Sequence, residues 1–196
     1  MSRRIGILGG SFDPVHYGHL IMAESARVQC RLEAVWFLPT SMNPLKQDGP
    51  SATPGQRVEM LELAIGGHDA FEICRSEIDR DGPSYTYETL EILTSENPDT
   101  EFVFIMGADS LADLGQWKNP ERICELVSIA VVCRPDSPQP EGDMFPVDSP
   151  VWMRVDMPLI GLSSRELRSA IAKDIGVRFQ TPRAVEAYIS QEELYR

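Results

Sequence analysis

Five short apolar runs, separated by stretches with helical spacing, constrain this chain more than any other feature. Ile5 to Leu8, Ala34 to Leu38, Phe71 to Cys74, Phe102 to Met106 and Ile129 to Cys133 are rich in strand-favouring residues and, Glu72 apart, show no polar alternation. A strand can do without a polar face only when both its faces are covered, so such runs belong in a mostly parallel sheet with helices on either side. Between the runs the period changes. Leu20, Ala23, Ala26 and Cys30 fall within an arc of about 120° at about 100° per residue, so a helix there buries one side. A second helix is expected from near Gly55, turning Val58, Leu61 and Ile65 inward, and a third over about Tyr85 to Glu96. Val151 to Val155 reads as a late strand. A helical pattern follows from Ser163, which with Glu166 has the spacing of a capping box.

With 196 residues, 42% hydrophobic and 24% charged, the chain is expected to form one domain over 1–196 with a substantial core. Pro135, Pro138, Pro140, Pro146 and Pro150 punctuate a stretch with several acids and little periodicity, which reads as a loop over 135–150 inside that domain. No apolar run approaches the ~20 residues needed to span a bilayer, and MSRRIGILGG leads straight into a strand. A cytoplasmic protein with no membrane partner is therefore expected. Cys30, Cys74, Cys124 and Cys133 show no paired spacing and fit buried thiols in a reducing compartment. A net charge of −12 argues against a general nucleic-acid surface, which would need a basic stripe. Phosphates of small substrates would have to be met by a few placed cations, helix ends and a metal ion.

The segment GGSFDPVHYGH, Gly9 to His19, ends the first strand on two glycines and opens the next helix with two imidazoles. His16 and His19, three apart, share one face of that helix at its N-terminal end. Unpaired N–H groups, a positive partial charge and two ring donors suit a phosphate. Two histidines at this spacing also fit a zinc half-site or a packed core, although the third histidine and the four cysteines supply no matching ligand spacing. Later, LSSRELR, Leu162 to Arg168, combines a helix start with an arginine one turn on, which fits either a capped helix or a second anion site.

The Ser-Phe-Asp-Pro run followed by HYGH resembles the signature of the nucleotidylyltransferase superfamily, whose members transfer a nucleoside monophosphate from a triphosphate onto a phosphate. LSSRELR resembles the ISSTxIR motif of that superfamily, which grips the triphosphate of ATP as a KMSKS loop does in class I aminoacyl-tRNA synthetases. Arg165 stands where the motif has threonine. A synthetase itself would need an anticodon-reading region, for which an acidic chain of 196 residues has no room.

Four further segments are similar to those of bacterial nicotinate-nucleotide adenylyltransferases. FIMGADSLADLGQW, Phe104 to Trp117, matches a GADxL segment whose Asp reaches the adenosine ribose and whose following Trp stacks on the pyridine ring. PSYTYETL, Pro83 to Leu90, matches PSYTxxTL, where backbone N–H groups receive the nicotinate carboxylate. LPTSMNPLK matches LPxxxPPHK, with Lys46 at the lysine and Leu45 replacing the histidine, and TPRAVEAYI with LYR matches the closing pattern.

The resemblance implies a Rossmann-like α/β fold with a C-terminal helical segment, and transfer of AMP from ATP to nicotinate mononucleotide. The products would be deamido-NAD and pyrophosphate, in NAD biosynthesis. His16 and His19 would be catalytic. Gly9, Gly10, Ser11, Phe12, Gly107, Asp109, Ser164 and Arg168 would complete the ATP site with them, and Lys46, Tyr85, Thr86 and Trp117 would hold the mononucleotide. Mg²⁺ would bind mainly through the ATP phosphates, with no dedicated protein metal site. Taken singly, Asp109 and Thr86 also fit helix caps, Trp117 a packing anchor and Lys46 a solvated charge. The alternatives are a nicotinamide-mononucleotide or phosphopantetheine adenylyltransferase, and a catalytically silent nucleotide sensor. The roles of Arg57 and Arg134, and assembly into a homo-oligomer, are left open.

Overall fold

The computed structural model describes residues 3–41, 49–80, 82–134, 140, 144–148 and 150–196. Six strands form one sheet: β1 (Arg3–Gly10), β2 (Ala34–Pro39), β3 (Phe71–Ile73), β4 (Thr100–Gly107), β5 (Ser128–Cys133) and β6 (Trp152–Asp156). All five pairings are parallel, in the order β3-β2-β1-β4-β5-β6. The sheet is thus wholly parallel where the sequence reading had it mostly so. The expected late strand is β6, and the other five apolar runs are the other five strands. Around them lie α1 (Tyr17–Gln29), α2 (Pro54–Ile65), α3 (Thr86–Glu96), α4 (Ala108–Ala112), α5 (Pro120–Leu126), α6 (Ser164–Ile171) and α7 (Arg183–Gln191).

The unbroken apolar character of the strands is used on both faces. Ile5 and Ile7 of β1, with Phe102 and Phe104 of β4, pack toward Leu90 and Leu93 of α3, Leu111 of α4 and Ile123 of α5. Their neighbours in sequence, Leu8, Val103 and Ile105, face Ala23 and Ala26 of α1, Met60 and Leu61 of α2, and Val185 and Ile189 of α7. Each fully buried Ile or Leu contributes about 1.5 to 3 kcal/mol. Gly6 lies in this second layer, and a Cβ there would come within 2.7 Å of Leu32 Cδ1 and 2.8 Å of Ile105 Cδ1. The layer closes only around a residue without a side chain.

Helix starts follow local capping chemistry. The Thr53 hydroxyl accepts from the Gln56 backbone N–H, and Pro54 occupies the first turn, so α2 begins one residue ahead of the expected Gly55. The Ser163 hydroxyl accepts from the Glu166 N–H at 3.2 Å, as the spacing predicts. The short helices α4 and α5 carry too little periodicity to be read from the sequence. The expected 135–150 loop falls mostly on positions outside the described residues. No described helix is long and apolar enough to cross a membrane.

The strand order fixes the site. From β1 the chain winds outward through β2 to β3, then crosses back to place β4 on the other side of β1. Connections leaving β1 and β4 diverge to opposite faces, which opens a crevice at the carboxyl ends of these central strands. Gly9 and Gly10 end β1 and Gly107 ends β4, so the glycine turns singled out in the sequence meet there.

Candidate active site

Between β1 and α1 the chain runs through six residues with no regular hydrogen-bond ladder, Ser11 to His16. Buried backbone carbonyls need donors, and here side chains from distant segments supply them. Arg57 of α2 donates to the Ser11 carbonyl at 2.7 Å. Arg168 of α6 donates to the Asp13 carbonyl at 2.7 Å, and the neighbouring Ser164 hydroxyl to that of Pro14 at 2.8 Å. Thr181 donates to the Val15 carbonyl at 2.7 Å. The Asp13 side chain, 2% exposed, accepts from the backbone N–H groups of Ser51 and Ala52 and from the Tyr195 hydroxyl, at 2.8, 3.0 and 2.8 Å. Arg57 is fully buried, so of phosphate contact and local packing, both open for it in the sequence, the structure supports packing under the loop.

The two imidazoles stand where this loop becomes helix. His16 is the N-cap of α1, and its ring stacks on that of His19 with centroids 3.8 Å apart at 23°. A Cβ at residue 18 would lie 3.0 Å from the His16 ring, which accounts for glycine between the histidines. The His16 backbone N–H donates to His19 Nδ1 at 3.2 Å. In the neutral His19 ring the proton therefore resides on Nε2, leaving that atom as the donor. The Phe12 ring, 1% exposed and held by a left-handed backbone (φ 49°), meets His19 edge-on at 5.0 Å. His16 is 4% exposed, and burial pulls its imidazole down to about 4, so it is neutral at pH 7.

Three cavities meet at this point. The largest, about 960 Å³, is walled by His16, His19, Ser163, Ser164, Arg165 and Arg168, with Arg134 at its edge. The early imidazole pair and the late Ser-Arg turn are thus brought together, although the Ser164 and Arg168 side chains reach the loop backbone rather than only the open space. A second cavity, about 430 Å³, shares Gly10 and Ser11 with the first and is lined by Tyr85, Thr86, Trp117, Lys118, Glu77 and Ser84. The Trp117 indole stands edge-on to Phe104 at 6.1 Å and 81°. A third, about 260 Å³, holds Gly107 and Asp109 and touches both others through His19, Arg134 and Trp117. Lys46 and Leu45 lie outside the described residues.

Every other expected site residue is at this crevice. Sequence reasoning did not find Asp13 as a hydrogen-bond hub, nor Arg57, Thr181, Tyr195 or Glu77. The signals present were the Asp-Pro pair inside the glycine-histidine segment and the closing TPRAVEAYI and LYR.

A parallel sheet wound 3-2-1-4-5-6, with glycine turns and imidazoles at its switch point, defines a nucleotide-handling α/β class, and the family model of cytidylyltransferase-like proteins matches residues 7–170. A protein of Roseiflexus sp. (strain RS-1), described as a probable nicotinate-nucleotide adenylyltransferase, is 43% identical over 199 residues, covering 100% of this chain and 99% of its own. One of the same description from Rhodopirellula baltica is 41% identical over 199 residues, covering 98% and 93%. The chain belongs to the nicotinate-nucleotide adenylyltransferase family. The solved Plasmodium falciparum nicotinic acid mononucleotide adenylyltransferase, complexed with NaAD, shares the fold with a TM-score of 0.83 at 20% identity, over 98% of this chain and 97% of that one.

Proposed function

We propose that this protein transfers the AMP unit of ATP to nicotinate mononucleotide, giving nicotinate adenine dinucleotide and pyrophosphate, a step of NAD biosynthesis. The observation that carries this reading is the junction of a large cationic cavity and a smaller aromatic one at Gly10 and Ser11, beside His16 and His19. ATP spans the larger space and the third cavity, with its triphosphate toward Ser164, Arg165 and Arg168 in the first and its ribose toward Asp109 and Gly107 in the third. The mononucleotide occupies the smaller aromatic cavity, with its ring against Trp117 and its carboxylate at the N–H groups of Tyr85 and Thr86, where α3 begins without a side-chain cap. Lys46 is assigned to the same substrate from its motif.

A phosphate oxygen of the mononucleotide attacks the α-phosphorus in line; the new P–O bond forms as the bond to the β-phosphate oxygen breaks, and pyrophosphate leaves with that electron pair. Such a transfer needs positioning and charge stabilisation, not a covalent intermediate. His19 Nε2–H, the His16 ring, the Ser11 hydroxyl and the turn N–H groups at Gly9 and Gly10 are the donors for the developing charge. Phe12 acts through His19, whose ring it supports. Among the described residues no group of three His, Cys, Asp or Glu could hold a metal ion, and the Asp13 carboxylate is already taken. Mg²⁺ carried on the triphosphate oxygens supplies further charge neutralisation when bound. Four free cysteines, two of them buried, fit a cytoplasmic setting.

An assay with ATP, Mg²⁺ and nicotinate mononucleotide tests this directly, with dinucleotide and pyrophosphate expected in equal amounts. Tight binding without product would overturn it in favour of a nucleotide sensor.

A further inference from the structure

The ring-side cavity contains an acid that the reaction above does not use. Glu77, in the turn after β3, is 2% exposed and lies in the wall that also carries Ser84, Tyr85 and Thr86. Its Oε1 accepts a hydrogen bond from the Thr89 hydroxyl at 3.0 Å, and that hydroxyl lies 3.4 Å from the Tyr85 carbonyl at the start of α3. Its Oε2 is enclosed beside the buried Ser84 hydroxyl, close enough for that hydroxyl to ease the charge, yet neither atom makes a well-formed hydrogen bond among the described residues. An ionised carboxylate with one buried oxygen short of a well-formed hydrogen bond is costly, and the same group carrying its proton is far less so. Burial pushes the Glu77 carboxyl up, against the smaller pulls of the Thr89 hydroxyl, the Arg80 charge and Ser84.

The charged groups around it are few. Arg80 donates to the Thr89 hydroxyl oxygen at 3.3 Å, and Lys118 sits 3.9 Å over the Tyr85 ring with Glu88 3.9 Å away. Arg75 and Asp79, of the same turn as Glu77, pair with each other at the surface at 3.1 Å. The remaining described wall, Gly9 to Ser11, Leu38, Thr40 and Phe104, carries no charge.

We propose that Glu77 determines which pyridine substituent the cavity accepts: holding its proton, it tolerates a carboxylate at the N-terminus of α3, and without that proton it repels the carboxylate while leaving a neutral carboxamide unaffected. The proposal rests on the adenylyl-transfer reading. It makes binding of the nicotinate form, and not of the nicotinamide form, dependent on a proton at one buried side chain.

Initial rates with Mg-ATP and either nicotinate or nicotinamide mononucleotide, from mildly acidic to alkaline pH, test it. The two substrates share one ribose phosphate, so the ratio of their kcat/KM values removes titrations outside the ring. The ratio favouring the acid is expected to fall on the order of tenfold as pH rises, through KM for nicotinate mononucleotide, with KM for ATP steady. Glu77→Gln, which keeps the shape and cannot ionise, should make the ratio independent of pH and close to the acidic-side value. A flat ratio in the unaltered protein, or an unchanged slope in Glu77→Gln, overturns the proposal.

Calorimetric titration of the unaltered protein with each mononucleotide, in two buffers of different ionisation enthalpy, decides the matter if the variant does not fold. Proton uptake with the acid alone supports the proposal, and equal uptake with both overturns it. Failure to form any dinucleotide would sink the adenylyl-transfer reading instead, and the calorimetric comparison, which needs only binding, would still decide Glu77.

Discussion

The loop from Ser11 to His16 and the wall from Glu77 to Thr86 face the same crevice and are built on opposite terms. In the loop, four carbonyls and a buried carboxylate are met by α2, α6 and the segments around Thr181, Tyr195 and Ser51. In the wall, one Glu77 carboxylate oxygen and the Ser84 hydroxyl stay unmatched and Tyr85 stands half-buried, while on the loop side the backbone is held although His16 Nδ1 and Arg57 Nε also lack partners. Tethered backbone fixes geometry, and a half-met buried carboxylate leaves free energy that a ligand or a proton can recover. The difference teaches a division of labour. On the proposed reading, the chemistry at phosphorus, the same for any mononucleotide acceptor, belongs to the side whose backbone is tethered, and discrimination between acceptors to the side whose buried carboxylate is only half met.

The sharpest way to break this contrast is His19→Ala. A preorganised donor to developing charge is worth about 3 kcal/mol, so kcat should fall on the order of a hundredfold with both KM values and Tm little changed. Parallel losses in binding and Tm would assign the ring to folding instead. Acid should act on the tethered side as well. An unfolded chain protonates His16 below about 6.5, whereas the folded one resists until about 4, so the unfolded state binds more protons between these values. Stability is then full above pH 6.5 and declines toward pH 4 by up to about 3 kcal/mol, which urea denaturation across that window measures. His16→Gln should remove this part of the slope, and an identical slope would exclude it.

On the other side, Trp117→Ala should raise KM for nicotinate mononucleotide on the order of thirtyfold, about 2 kcal/mol of stacking, with KM for ATP nearly kept. Equal changes for both substrates would erase the distinction between the cavities. The smallest effect should come from Thr181→Val, which takes the donor from the Val15 carbonyl. Because other attachments remain, denaturation should register about 1 kcal/mol and kinetics almost nothing. A collapse of activity would mean that the loop hangs on one clasp.

What could be read from the sequence follows how far apart the partners lie. The strands were legible because a strand covered on both faces leaves a local apolar signature, and Ser163 with Glu166 because a capping box spans one helical turn. His16 and His19 were legible as a shared face for the same reason, and their convergence with Ser164 and Arg168 came from family motifs rather than spacing. Arg57 looks like a surface cation until its acceptor, 46 residues away, is known, and the Arg168 and Thr181 bonds span 155 and 166 residues. Burial of Glu77 and of the His16 ring likewise depends on which helices the strand order lays over them. No local pattern encodes that.

The hydrogen bond between Tyr195 and Asp13 joins positions 182 residues apart. During synthesis the loop from Ser11 to His16 emerges from the ribosome long before the tyrosine that tethers its Asp13. Nascent chains short of Thr181 therefore lack both late clasps, although all six strands of the sheet, the last ending at Asp156, have by then been translated.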